Sequence, residues 1–230
     1  MLFFIGAMTE EIVGLAAKLE DARCVEHSGH KVYTGKLSGK DIGVTDAGIG
    51  KVNAAMCAQM VIDNYKPQAI INTGIAGSLD PRLNIGDIVL STDAVEYDMD
   101  ATAFGYPQGQ IPEMEVFSFE ADKELLSEVI KAADDVLPDI NHLSGRVVTG
   151  DAFVNSNEKK AFLKKEFEGL CCEMEGGAIA HVCHVNKIPF LIIRAISDSA
   201  DDSSHMDYET FEKKAIESSV KLSLAIAERY

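Results

Sequence analysis

Two short segments hold most of the chemistry that this sequence offers: Cys172-Glu173-Met174-Glu175 and Arg194-Ala195-Ile196-Ser197-Asp198. Each falls where a strand is expected to end, and each delivers carboxylates there. In open α/β sheets, ligands bind at the carboxyl ends of strands. Acids at such ends pack poorly, but they hold hydroxyls and move protons. The run Pro189-Phe190-Leu191-Ile192-Ile193 that precedes Asp198 is apolar without interruption, as in a strand buried on both faces. A lone acid at its exit is often a helix cap or a solvated loop residue; several acids arriving together favour a site. Thr9-Glu10-Glu11 follows the first expected strand. Glu10 suits a helix N-terminus, where acids complement the macrodipole, and Glu11 fits either that role or a site.

Other chemical signals are weaker. Gly48-Ile49-Gly50-Lys51-Val52-Asn53 follows a strand and opens a helix, yet the third glycine of a dinucleotide fingerprint is replaced by Asn53. The next strand ends in Asn72-Thr73, without an acid for a ribose 2′-hydroxyl. A glycine turn that lets backbone approach a small ligand is the better reading. His181 and His184 share a helix face but lack a third ligand at recognisable spacing, so they read as packing residues beneath the sheet rather than metal ligands.

The elements that must position these residues follow from the pattern. Strands are expected at about 2–7, 31–37, 41–45, 69–72, 87–97, 145–149, 170–173 and 189–196. Helices are expected at about 9–20, 51–64, 121–136, 157–167, 176–185 and 207–228. This alternation predicts an α/β sheet covered by helices on both sides. The loop at about 98–119 carries Phe104, Tyr106, Ile111, Pro112, Met114 and Phe117, more apolar residues than a solvated loop needs, and reads as an arm or lid.

Composition narrows the partners. The formal net charge of −16 opposes binding to a nucleic-acid backbone or an anionic membrane surface. The 230 residues contain no apolar stretch near the ~20 needed to span a membrane. The five cysteines have no framework spacing and suit a reducing compartment, so a cytoplasmic protein is expected.

Taken together, the segments resemble the 5′-methylthioadenosine/S-adenosylhomocysteine nucleosidases of the nucleoside phosphorylase superfamily. The resemblance runs nearly end to end. It is carried by Ile5-Gly6-Ala7-Met8 with Glu10-Glu11, by Gly48-Ile49-Gly50-Lys51-Val52, and by Ile71-Asn72-Thr73-Gly74 with Ala76-Gly77. Thr102-Ala103-Phe104-Gly105-Tyr106, Gly150-Asp151-Ala152-Phe153, Glu173-Met174-Glu175 and Arg194-Ala195-Ile196-Ser197-Asp198 complete it.

The resemblance implies a single α/β domain over residues 1–230, a three-layer nucleoside-phosphorylase-like fold with a mixed, twisted central sheet flanked by helices. It implies hydrolysis of 5′-methylthioadenosine, S-adenosylhomocysteine and 5′-deoxyadenosine in methionine salvage, without metal or cofactor. Asp198 would be the acid that protonates adenine, and Glu11 the base that activates water. Glu175 would bind the ribose hydroxyls and Met174 would pack under the sugar. Phe153 would stack on adenine, the Val154 backbone would read its edge, and Ala76 and Gly77 would approach the purine. Arg194 would fix the Glu11 region, while Met8, Ile49 and Tyr208 would line the sugar and its 5′ end. Phe104 and Pro112 would reach into the site of a second copy in a homodimer. The rivals are phosphorolysis, which needs cations where this chain has Glu10 and Glu11, and non-catalytic nucleoside binding. Two departures stand out: Ile75, where some relatives have Ser, and Gly176-Gly177, where Ala-Thr or Ala-Ala is familiar.

Overall fold

Among the described residues ten strands and six helices form, most of them where the hydrophobic pattern places them. The computed structural model describes residues 1–229, with residues 206, 207 and 209 described by backbone alone. The first wing of the sheet comprises β1 (Leu2–Gly6), β2 (Glu20–His27), β3 (His30–Leu37) and β4 (Lys40–Asp46), with α1 (Thr9–Ala16) between β1 and β2. α2 (Lys51–Tyr65), β5 (Ala69–Ser78) and β6 (Ile88–Glu96) follow, then a 3₁₀ turn at Thr102–Phe104 and the short β7 (Phe119–Glu120). The remaining elements are α3 (Lys123–Val136), β8 (His142–Thr149), α4 (Asn157–Phe167), β9 (Cys171–Glu173), α5 (Gly176–Asn186), β10 (Phe190–Asp198) and α6 (Ser204–Arg229).

The sheet is mixed, and half of it closes on itself. β5, β9, β8, β6 and β10 pair in a ring, because β10 joins both β6 and β5. From β5 an open wing extends through β1, β4, β3 and β2. The strands β1, β5 and β10 are parallel neighbours, whereas β9 runs antiparallel to β5. Alternation along β5 shows two helical layers. Asn72 comes close to the start of α5, while the next residue, Thr73, hydrogen-bonds Ser219 of α6 on the opposite face at 2.6 Å.

The structure corrects three expectations. α1 ends at Ala16 rather than near residue 20: Leu19 is buried, but by a chain turn leading into β2 and not by a further helical turn. β2 was invisible in the pattern because it is exposed along its length, an edge strand held by backbone pairing to β3. β5 does not end at Thr73 but continues to Ser78. Its Gly74 and Gly77 are not turn residues. A Cβ at Gly74 would lie 2.9 Å from Glu11 Oε1, and one at Gly77 would lie 2.8 Å from Asp198 Oδ1. Both glycines leave the room on the strand that two carboxylates occupy.

Candidate active site

A cavity of about 440 Å³ opens where β1, β5, β9 and β10 meet, within the usual size of small-molecule sites. Its lining gathers Met8, Glu11, Ile49, Ala76, Gly77, Phe153, Val154, Met174, Glu175, Asp198 and Tyr208 from across the chain. Its acids are Glu11, Glu173, Glu175 and Asp198, and no Lys or Arg lines it among the described residues.

Glu11 is placed for both of the readings open to it, at the start of α1 and in the cavity lining. Its Oε2 accepts the N–H groups of Ala7 at 2.7 Å and Met8 at 3.0 Å, capping α1. Its Oε1 accepts the Ile75 N–H at 3.2 Å across the cavity. Burial raises its pKa above the ordinary glutamate value, against the opposing charge of Arg194 and these amide bonds. A buried carboxylate with a raised pKa is a better proton acceptor than a solvated one.

Glu175 receives the Gly50 N–H on Oε1 at 2.9 Å. Gly50 has φ of +95°, a conformation that a side chain disfavours and that aims its amide at this carboxylate. Burial first, and then the neighbouring charge of Glu173, push the Glu175 pKa up to about 7. Beneath it, Glu173 accepts the Glu175 and Gly176 N–H groups at 3.0 and 2.6 Å, the Thr149 hydroxyl, and Arg194 Nη2 at 2.5 Å.

Asp198 sits past a β-bulge at Ser197, where the register of β10 on β5 shifts. Bulges of this kind re-aim side chains beside active sites. Ser197 Oγ donates to Asp198 Oδ2 at 2.8 Å, and the Ala200 N–H donates to Oδ1 at 2.8 Å. Phe153 and Tyr208 meet edge to face with ring centroids 5.8 Å apart, forming an aromatic corner. The Tyr208 hydroxyl lies 3.7 Å from Met8 Sδ and 3.0 Å from Glu212.

One expected site residue, Arg194, does not line the cavity. It is 1% exposed and is placed behind the wall, bonded to Glu173 and to Asn72 Oδ1 at 2.6 Å. From there its charge acts on Glu11, with no ion-pair contact between the two among the described residues. Phe104 is 86% exposed, Pro112 is exposed too, and neither lines the cavity of its own chain. Part of the arm's apolar content serves its own fold, since Ile111, Met114 and Val116 pack against the main core. The sequence reading missed His205, which precedes Tyr208 by three residues and shares its helix face. No motif marks it. Cys172 and Ser197 also line the cavity, and only their adjacency to the acids signals that.

Of the two helical histidines, His181 packs against the sheet. His181 stacks on Phe119 with centroids 4.9 Å apart and faces Glu96, while His184 is exposed. No group of three or more His, Cys, Asp or Glu suited to a metal occurs among the described residues.

Comparison with known proteins places the chain. The phosphorylase superfamily matches residues 2–228. A 5′-methylthioadenosine/S-adenosylhomocysteine nucleosidase of Staphylococcus haemolyticus (strain JCSC1435) is 42% identical over 222 residues, covering 95% of each chain. The crystal structure of a nucleosidase of the same name from Neisseria meningitidis, in complex with methylthio-immucillin-A, is 38% identical. It matches with a TM-score of 0.96, covering 100% of this chain and 99% of that one. The futalosine hydrolase of Helicobacter pylori strain 26695 matches with a TM-score of 0.94 at 31% identity, covering 100% of this chain and 97% of that one. The chain belongs to the phosphorylase superfamily and, within it, to the 5′-methylthioadenosine/S-adenosylhomocysteine nucleosidases.

Proposed function

We propose that the protein hydrolyses the N-glycosidic bond of 5′-methylthioadenosine and S-adenosylhomocysteine, and also of 5′-deoxyadenosine, releasing adenine and the 5-substituted ribose. The observation that carries this reading is the convergence of Glu11, Glu175 and Asp198 on one cavity without a Lys or Arg among its described lining residues. Asp198 protonates adenine N7, so that the bonding pair leaves C1′ with a neutral purine. The ribose gains oxocarbenium character, which Glu175 stabilises by accepting hydrogen bonds from the sugar hydroxyls. Glu11 holds a water and takes its proton as oxygen bonds to C1′. Met174 packs under the sugar, Phe153 stacks on the base, and the Val154 backbone with Ala76 and Gly77 fits the purine edge. Met8, Ile49 and Tyr208 surround the sugar and its 5′ substituent.

A phosphorylase needs cations beside its phosphate, and the acids here oppose one. A non-catalytic binding protein has no use for a separate acid and base. The test is product analysis with 5′-methylthioadenosine in phosphate buffer. Free methylthioribose is expected; accumulation of methylthioribose 1-phosphate would sink the hydrolytic reading.

The same reading gives a cytoplasmic homodimer acting in methionine salvage. Support for the location comes from five cysteines that are all free thiols, four of them buried. Among the described residues no helix is long and apolar enough to cross a membrane. Support for the dimer comes from an apolar surface on α2, α5 and the arm, where Val52, Met56, Val185 and Phe104 are 70%, 56%, 62% and 86% exposed. Phe104 and Pro112 then complete the partner's cavity at its 5′ end. Phe104→Asp should lower both the mass seen by light scattering and affinity for the 5′ substituent. A fully active wild-type monomer would remove the dimer from this account.

A further inference from the structure

Beside the cavity, on the face away from α6, lies a charged cluster that the reaction does not use. Lys51 Nζ contacts Asp98 Oδ1 at 2.6 Å and Glu96 Oε2 at 3.0 Å. Asp98 Oδ2 accepts the Asp151 N–H at 2.9 Å, and Asp151 Oδ1 accepts the Lys51 N–H at 2.8 Å. The hydrogen bonds therefore close a ring: Lys51 to Asp98, Asp98 to Asp151, and Asp151 back to Lys51.

The two neighbouring chain segments joined by this ring both contribute to the cavity wall. Lys51 directly follows Ile49, which lines the cavity, and Gly50, whose N–H holds Glu175. Asp151 directly precedes Ala152, Phe153 and Val154, which all line it. We infer that Lys51 is a positioning residue that clasps the ribose-holding turn to the adenine-holding loop and so fixes the distance between the two halves of the nucleoside site. This inference rests on the nucleosidase reading of the cavity.

The charge on Lys51 is what the clasp needs. Three carboxylates, Glu96, Asp98 and Asp151, crowd this corner, and without a cation between them they repel. Burial works against the Lys51 charge, yet the hydrogen bonds it donates to Asp98 and Glu96 outweigh it and keep its pKa above the usual lysine value. His181 Nδ1 faces the other oxygen of Glu96 at 3.2 Å, so Glu96 keeps a second partner. Lys51 itself does not line the cavity. Its influence therefore passes through Gly50 and Asp151.

The test compares wild type, Lys51→Met and Asp98→Ala with 5′-methylthioadenosine as substrate and adenine as a binding probe. Misplacement of a binding wall by about an ångström costs up to ~10²-fold in rate. Lys51→Met should lower kcat/KM by roughly 10-fold to 100-fold, mostly through KM, and weaken adenine binding measured by calorimetry well below the melting temperature. In a Glu175→Gln background the same change should cost much less, because the residue acts partly through that carboxylate. Melting curves and light scattering establish that fold and mass are kept. If Lys51→Met does not fold, Asp98→Ala carries the test, since it opens the ring and leaves Lys51 beside Glu96. Unchanged KM and adenine affinity in a folded variant would overturn the clasp. Wild-type protein that releases no adenine would instead overturn the nucleosidase reading.

Discussion

Glu173 and Glu175 stand two residues apart and are buried to the same degree, 7% and 6% exposed, but they belong to two different regions. Glu173 lines the cavity from its floor, where the Thr149 hydroxyl, two amides and Arg194 all donate to it. Glu175 lies in the wall, with the Gly50 N–H as its hydrogen-bond donor and the cavity in front of it. The floor uses buried charge to fix geometry, since each acceptor is met by a donor of the protein. The wall leaves acceptor capacity for a ligand, and burial without enough donors then raises the pKa to about 7. Substitutions in the two regions should therefore fail in opposite ways.

In the wall, chemistry is lost and stability kept. Asp198→Asn preserves shape but cannot protonate a leaving purine, and general acid catalysis is worth ~10²–10⁴-fold. Turnover should fall by that factor while adenine still binds. Glu11→Gln should lose hydrolysis similarly. Near-normal turnover in Asp198→Asn, followed by adenine release, would place the acid elsewhere.

In the floor, stability is lost first. Arg194→Met strands Glu173 without its cation in a site closed to water, and breaking a buried pair costs about 3–5 kcal/mol. Urea unfolding should show this loss, and adding Glu173→Gln should restore part of it. A stable Arg194→Met protein with only reduced activity would erase the distinction between floor and wall.

The comparison sharpens with pH at Glu175. Its folded pKa is raised, so the folded state binds the proton more tightly than the unfolded chain does. Its contribution to stability is thus present below the ordinary glutamate value and is lost as pH rises toward about 7. Glu175→Gln removes that dependence. The variant should unfold at a higher temperature than wild type at pH 8, with the gap closing toward pH 4, while its kcat/KM falls severely. Equal melting at both pH values would show that the carboxylate is not strained by burial. Wild type should also discriminate against 2′-deoxy substrates, because Glu175 is read as the acceptor for ribose hydroxyls.

Much of this was legible in the sequence because the site is built on buried strands. Continuous apolar runs marked β1, β5 and β10, and the acids at or just after the ends of β1, β9 and β10 had few other uses. The closure of the ring was not legible, since it depends on which edges meet and apolar runs do not encode that. β2 left no pattern because neither of its faces is buried. The division of labour between Arg194 and Glu175 was hidden for a related reason. Both are charged residues on or just after buried strands, and only the third dimension shows that one faces the cavity and the other lies behind it.

The pair Gly176-Gly177, unexplained by composition, finds its reason in the floor and gives the smallest test. A Cβ at Gly177 would lie 2.8 Å from both Cβ and Oγ1 of Thr149 and 3.2 Å from Glu96 Cγ. The Gly177 N–H already donates to that hydroxyl at 2.6 Å, and the hydroxyl donates onward to Glu173. An added methyl therefore pushes on the group that holds the floor carboxylate. At Gly176 the nearest atom is the end of the Ile192 side chain, 2.9 Å away, with Glu173 Oε2 at 3.1 Å and Asn72 Oδ1 at 3.2 Å, so its closest clash is with a flexible side-chain terminus. Overpacking costs about 1–3 kcal/mol, and replacing a helical glycine with alanine returns about 1 kcal/mol. Gly177→Ala should thus lose stability by roughly 1 kcal/mol, Gly176→Ala should be closer to neutral, and both should keep most activity because the wall is untouched. Chemical denaturation of the two variants side by side decides the matter. If Gly177→Ala proves the more stable of the two, Thr149 yields readily, and the floor is softer than its hydrogen bonds suggest.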